Sequence, residues 1–520
     1  MVAIRSVVAL LAALLILGPA ATARPMAVSG VATGDLAYVD PNLLTQVAAK
    51  PSPAILAWDD QTTTRAEVGS YLQQTGIQHH VFSALSMAIG CATRASDVVA
   101  LAGAPGAISV WGDEQMTPTL DRSVPTAFRG DPGVVWSGLG ITGEGVGIAV
   151  LDTGIDGTHP DVEFGRRIVL NARVVVSHLE IMGPGNDSCY PDSFQEDIPD
   201  SETVSGHGTH MASIAAGDGT ASAGRLKGMA PEADLIGLNI AEQATPEVDS
   251  DVDVSLIRFI AAANYVISRA LEGGPTIAKV ALLGWTSTGL FDPWHPHYLS
   301  VRDLYDFGIS VVMPVGNGGP GASSCDSADT CHFNRLAVGQ YPIAVGATPK
   351  DFGGQLEDYS SRGDPTQREA RGQWVSYEPT LVAPGSYVVA ARRAGLAAFA
   401  PPLPTRYPLG AAGAGVNNDL TNPQYQALTG TSVAAAHVAG TIALMQQAAV
   451  EAKGCFLHPG QVKSILEGTA TPIGGYQRWE VGSGAVNATA AVFAARQVAA
   501  FRSADPWVCP PPGTPAAAAP

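Results

Sequence analysis

Positive charge is scarce in this 520-residue chain: 29 lysines and arginines face 47 aspartates and glutamates, a net charge of -18. That balance excludes a general electrostatic attraction to nucleic acid or to anionic lipid. Charged residues of both signs make up only 15% of the chain, against 46% hydrophobic. Such a chain fills a sizeable core and has room for more than one domain of a soluble globular protein. A membrane-spanning run is missing at the N-terminus, because the apolar stretch 7–17 is too short to cross a bilayer. Arg5 before it and Ala21-Thr22-Ala23 after it instead read as a secretory signal over 1–23, cleaved after Ala23. A buried N-terminal core helix is the alternative. Cysteine is sparse, six in all, and in an exported protein six point to disulfides without fixing their connectivity. Cys325 and Cys331 are the leading candidate pair and Cys455 with Cys509 a second, which leaves Cys91 and Cys189 unexplained.

What is present has an order. Apolar 54–58, helix-like 64–74, strand-like 81–92, helix-like 95–102 and strand-like 107–111 predict a small α+β domain over 24–116. From 117 to 509, short apolar runs at 146–151, 235–240, 280–283, 309–312 and 343–345 alternate with helical patterns. One of these patterns places Leu256, Ile260, Ala263, Ile267 and Leu271 on one face and stops at Gly273-Gly274. The alternation predicts a three-layer α/β/α domain with a mostly parallel central sheet, whose ligand site lies beyond the carboxyl ends of the strands. Residues 510–520, proline and alanine with little else, read as a flexible tail.

Four motifs fall where such a site belongs. Gly430-Thr431-Ser432 opens a small-residue helix, which sets the Ser432 hydroxyl at a positive helix end with its own N-H facing a developing oxyanion. Strand 146–151 ends in Asp152-Thr153-Gly154, a carboxylate placed to orient a histidine. An aspartic-protease reading of this triplet needs a second carboxylate in a matching site, and the sequence has none. Gly206-His207-Gly208-Thr209-His210 begins another small-residue helix, and Asn317 follows a buried strand in a glycine-rich turn. His207 and His210 as metal ligands would need a third ligand in pattern nearby, which is absent.

These segments resemble the motifs of the subtilisin-like serine peptidases, in the family's order Asp152, His207, Asn317, Ser432, over about 124–495. Val433 stands where that family usually has methionine and Ala436 where it has proline. The resemblance implies a subtilisin-like fold and a serine endopeptidase acting on proteins or peptides through an acyl-enzyme on Ser432. It makes His207 the general base, Asp152 its orienting partner and Asn317 the oxyanion donor. It also implies that the preceding domain is a pro-domain, an intramolecular inhibitor removed by a cut between Asp113 and Val124; a permanent accessory domain is the alternative. Leu282-Leu283-Gly284 is read as the substrate-pairing segment, with Pro314, Val315 and Gly316 opposite it, implying a narrowed pocket for modest apolar residues. No organic cofactor is implied. The acidic run Asp187, Asp192, Glu196, Asp197, Asp200, Glu202 suits either a structural calcium or a solvated loop. The expected species is a secreted monomer. A catalytically silent peptide binder and a peptide ligase using the same acyl-enzyme are the competing readings.

Overall fold

A carboxylate, an imidazole and a hydroxyl scattered over 280 residues can meet only if the sheet and its helices bring their ends to one place. In this computed structural model the described residues are 37–112, 115–118, 126–176, 191–241, 254–272, 278–287, 289–320, 331–350, 355–366, 368–370, 372–394 and 424–498. The signal segment 1–23 and the tail 510–520 lie outside them, as do Cys189, Cys325 and Cys509. None of the described cysteines, Cys91, Cys331 and Cys455, is a free thiol.

The N-terminal module has strands β1 (Tyr38–Val39), β2 (Ser52–Trp58), β3 (His79–Val81), β4 (Met87–Ala92) and β5 (Ala107–Gly112), in the spatial order β1-β5-β2-β4-β3. Its helix Arg65–Thr75 starts where Thr64 and Glu67 exchange side-chain and backbone hydrogen bonds, and stops at Gly76, which takes the left-handed conformation (φ 72°). The stretch 81–92, expected as one strand, is two: residues 82–86 turn between β3 and β4. The β2 strand is buried on both faces. Ala54, Leu56 and Trp58 join the module's own core with Val68, Leu72 and Leu101. Ile55 and Ala57 join Phe82, Met87 and Ile89 in a cluster shared with helices Leu256–Leu271 and Pro296–Asp306. Each large apolar side chain buried there contributes about 1.5–3 kcal/mol.

Strand β6 (Gln115–Pro118) follows, then β7 (Gly147–Asp152), β8 (Ile168–Val176), β9 (Pro191–Gln195), β10 (Asp234–Asn239), β11 (Val254–Ser255), β12 (Ala278–Leu283), β13 (Trp285–Thr286), β14 (Ser310–Pro314) and β15 (Ile343–Pro349). After the small hairpin β16 (Arg368–Ala370) and β17 (Gln373–Val375) come β18 (Leu381–Ser386), β19 (Val388–Ala391) and β20 (Tyr425–Leu428). The central sheet runs β18-β15-β14-β12-β7-β10-β8-β9, parallel except for antiparallel β9. Period-two alternation splits its residues between two cores. Ala149 and Leu151 face helices Leu256–Leu271 and Pro296–Asp306. Ile148 and Val150 face helices His207–Ala216 and Thr431–Lys453. The latter helix, 23 residues, is long and apolar enough to cross a membrane, but it is buried from Thr431 through Ala449 and forms the core of this layer. Residues 381–386 supply the sheet's edge strand β18, and 388–391 with 425–428 form the β19-β20 pair.

Candidate active site

Two helix starts and one strand end converge. Asp152 is the last residue of β7, His207 the first of its helix, and Ser432 the second of Thr431–Lys453. Gly206 ahead of His207 is left-handed (φ 77°), a conformation that costs glycine little. Gly430 ahead of the serine is extended (φ 168°, ψ 167°) rather than left-handed, so its turn makes no demand for glycine through φ. His207 Nδ1 lies 2.7 Å from Asp152 Oδ1, and His207 Nε2 lies 3.0 Å from Ser432 Oγ. With the Nδ1 proton directed at the carboxylate, Nε2 is left to accept from the hydroxyl. All three residues are buried. Burial alone would lower the His207 pKa, but the charge and hydrogen bond of Asp152, with the charge of Glu202, outweigh it and raise the value.

Asn317 stands across from the serine. Its Oδ1 accepts from the backbone N-H and the hydroxyl of Thr431, both at 2.9 Å, which turns its amide nitrogen away from the helix. Gly316 donates its N-H to the same Thr431 hydroxyl at 3.2 Å and needs its left-handed φ of 109°. The asparagine turn is thereby locked to the nucleophile helix. A half-buried amide and the N-H groups at a helix start are the kinds of donor that an oxyanion site uses.

Gly284 is packed against the imidazole: a Cβ there would lie 2.2 Å from Asp152 Oδ2 and 2.8 Å from His207 Cε1. Of the other residues of the expected substrate wall, Gly316 meets Thr431 at the start of the Ser432 helix, and the rest are built into the sheet. Leu282 and Leu283 occupy the two cores on opposite faces of the sheet, and Val315 is fully buried with Leu283. Pro314 ends β14, where its carbonyl accepts from Asn334. The edge that pairs with an extended chain is β13, one residue beyond Gly284: β6 lies antiparallel between β11 and β13, with Pro118 opposite Trp285 and Thr117 opposite Thr286. The apolar run 280–283 masked this offset, since nothing in it separates strand core from strand edge.

His210 is a structural residue. Its Nε2 lies 3.2 and 3.3 Å from the carbonyls of Val388 and Gln426, and burial lowers its pKa to about 3. Val433 and Ala436 are buried in the helix core. Among the described residues no three histidine, cysteine, aspartate or glutamate side chains converge as metal ligands. Of the acidic run, Asp187 lies outside the described residues, Glu196 accepts from Tyr265, and Asp200 faces Arg393 at 3.6 Å.

Glu202 was hidden in that run. It is buried, accepts from the Thr153 hydroxyl at 2.5 Å and from Val204 N-H at 3.0 Å, and Thr153 Oγ1 in turn accepts from Gly208 N-H. Burial pushes its pKa up to about 7 against those hydrogen bonds, and the Asp152 charge adds to the rise. A raised carboxyl pKa means that the folded state holds the proton more tightly than the unfolded one. Its favourable contribution is therefore complete below pH 4.5 and is lost as pH climbs to 7, by on the order of 3 kcal/mol. Glu202→Gln should be increasingly stabilised over its parent through that window, read as Tm against pH. Because the Glu202 charge raises His207, the same variant should also shift the acid limb of kcat/KM to lower pH; an unmoved limb would show the carboxyl to be electrostatically silent.

A family model described as the Subtilase family matches residues 143–486. Serine protease AprX of Bacillus subtilis (strain 168) is 27% identical over 394 residues, covering 73% of each chain. An alkaline protease of Alkalihalobacillus alcalophilus is 28% identical over 397 residues, covering 76% of each. The crystal structure of fervidolysin from Fervidobacterium pennivorans, described as a keratinolytic enzyme related to subtilisin, superposes with a TM-score of 0.54 at 20% identity. That match covers 85% of this chain and 61% of fervidolysin, and at this identity it speaks to fold.

Proposed function

The chain belongs to the subtilase family of serine endopeptidases, and from that premise we propose that it is exported, cuts its own chain once, and hydrolyses peptides through an acyl-enzyme on Ser432. His207 Nε2 takes the Ser432 proton as Oγ attacks the scissile carbonyl, while Asp152 holds the ring's tautomer and stabilises the imidazolium. The oxyanion is met by the Asn317 amide and the Ser432 N-H. His207 then protonates the leaving amine, and water, deprotonated by the same ring, releases the acyl group. Secretion, the pro-domain role of 24–116 and a monomeric enzyme belong to this reading, as does the absence of any organic cofactor.

The observation that carries it is the run of β6 along β13 toward the linked Asp152, His207 and Ser432 side chains. An extended chain held between two strand edges is bound through its main chain, which accommodates many sequences. Antiparallel register also points to a bond. The described part of β6 ends with Pro118 opposite Trp285, one residue from Gly284, and we take the bond that follows next in sequence, Thr119 to Leu120, as the one that is cut. That bond lies inside the interval 113–124. Intact mass and N-terminal sequencing of the purified protein should give a fragment beginning at Leu120, and Ser432→Ala made in a host lacking exported proteases should stay whole. A wild-type chain that also stays whole would instead support a silent peptide binder, and cleavage of both proteins would transfer the cut to another protease.

A further inference from the structure

Cys91 lies in β4, paired with Pro53 of β2, and its N-H donates to the Gln78 carbonyl at 2.9 Å. Its sulfur is not a thiol but is disulfide-bonded. The other five cysteines of the chain stand at 189, 325, 331, 455 and 509, every one of them after β6. Whichever of them is the partner, the bond spans the interval 113–124.

We propose that the N-terminal module stays covalently attached after processing, so that the cut protein is a two-chain, disulfide-linked enzyme instead of a free peptidase and a departing inhibitor. This rests on the self-cleavage proposed above. Hydrolysis at the Thr119 carbonyl consumes one water and breaks one amide, leaving the disulfide untouched. Non-covalent contacts hold the same interface: Ala84 N-H donates to Asn264 Oδ1 at 2.7 Å, and the Ser109 hydroxyl and Trp111 indole N-H both donate to the Trp294 carbonyl. Trp111 also packs edge-on against the His295 ring, with centroids 4.5 Å apart. A tether converts rebinding of the module into an intramolecular event at an effective concentration of about millimolar, so dilution no longer relieves inhibition. Opening the link would take a thiol reductant supplying two electrons and two protons.

Wild-type protein purified without reductant and blocked with iodoacetamide should run as one species on a denaturing non-reducing gel and as two fragments after dithiothreitol. Fragments that separate in denaturant without reductant, or carbamidomethylation of Cys91, would overturn the proposal. Peptide mapping of Ser432→Ala under non-reducing conditions reads the link without any self-cleavage: the Cys91 peptide should be cross-linked to one carrying a cysteine at 189 or beyond. A wild-type chain that stays whole on the reducing gel removes the two-chain species by removing processing, and the peptide map distinguishes that failure from failure of the link. In Cys91→Ser, hundredfold dilution should release peptidase activity that dilution of the wild type does not.

Discussion

His207→Ala should slow peptide hydrolysis about a million-fold, and adding Ser432→Ala to it should cost almost nothing more. The expectation follows from how the two side chains share one proton. With Nε2 3.0 Å from Oγ, the imidazole has no other task in the first step than to take that proton, and the hydroxyl is a poor nucleophile unless it is taken. Either loss therefore removes the same unit. Asp152→Asn should do less harm, about ten-thousandfold, because it disturbs the tautomer and leaves the base in place. The residual rate in all of them is what the Asn317 turn and substrate binding supply alone. The comparison is made as kcat on a chromogenic peptide, after each variant has been clipped by immobilised wild-type protein so that all are in the same processed state. Losses that multiply in the double variant would mean that His207 and Ser432 act separately, and the geometry would need another interpretation.

Gly208→Ala should lower kcat by about a hundred- to ten-thousandfold with little change in KM. Gly208 is the second residue of the helix that His207 begins, and a Cβ there would lie 2.1 Å from the Gly154 carbonyl oxygen and 3.1 Å from Asp152 Cβ. The closest obstacle is backbone, so no side chain can rotate to make room. The helix start must move off the end of β7, lengthening the 2.7 Å contact between Asp152 and His207 and the 2.9 Å bond from Gly208 N-H to Thr153. The Ser432 and Asn317 side belongs to other elements and keeps its donors, so substrate affinity should survive while the base loses its orientation. Far-ultraviolet circular dichroism should report a folded protein; activity within tenfold of the parent would show that the strand end yields to the extra methyl group.

The parallel sheet was legible because its central strands are built mainly on short apolar runs, and 235–240 and 280–283 match β10 and β12 to within two residues. Asp152, His207 and Ser432 stand out in the sequence because each sits at the end of a strand or the start of a helix, where sequence pattern changes, and Asn317 because it lies in the glycine-rich turn that follows β14. What escaped was set by distant partners. Nothing local in Gln115–Pro118, a four-residue stretch ending in proline, announces a strand; it becomes one between the edges of β11 and β13. Glu202 reads as one more solvated acid in an acidic run, and only Thr153, 49 positions earlier, makes it a buried one. The β2 strand shows its two-sided burial as an apolar run, but the sequence cannot say that one face belongs to a different part of the chain.

The helix that carries Ser432 threads the core between the sheet and the helix Ala488–Gln497, and it arrives late in the chain. During synthesis Asp152 and His207 emerge long before it: the 280 residues from Asp152 to Ser432 take about 15 to 60 seconds at ordinary elongation rates. For that interval, on the proposed mechanism, the nascent chain carries the orienting carboxylate and the base but has no nucleophile. Hydrolytic competence is thus withheld by order of appearance, and a ribosome that stalls before residue 432 releases a product unable to attack its neighbours.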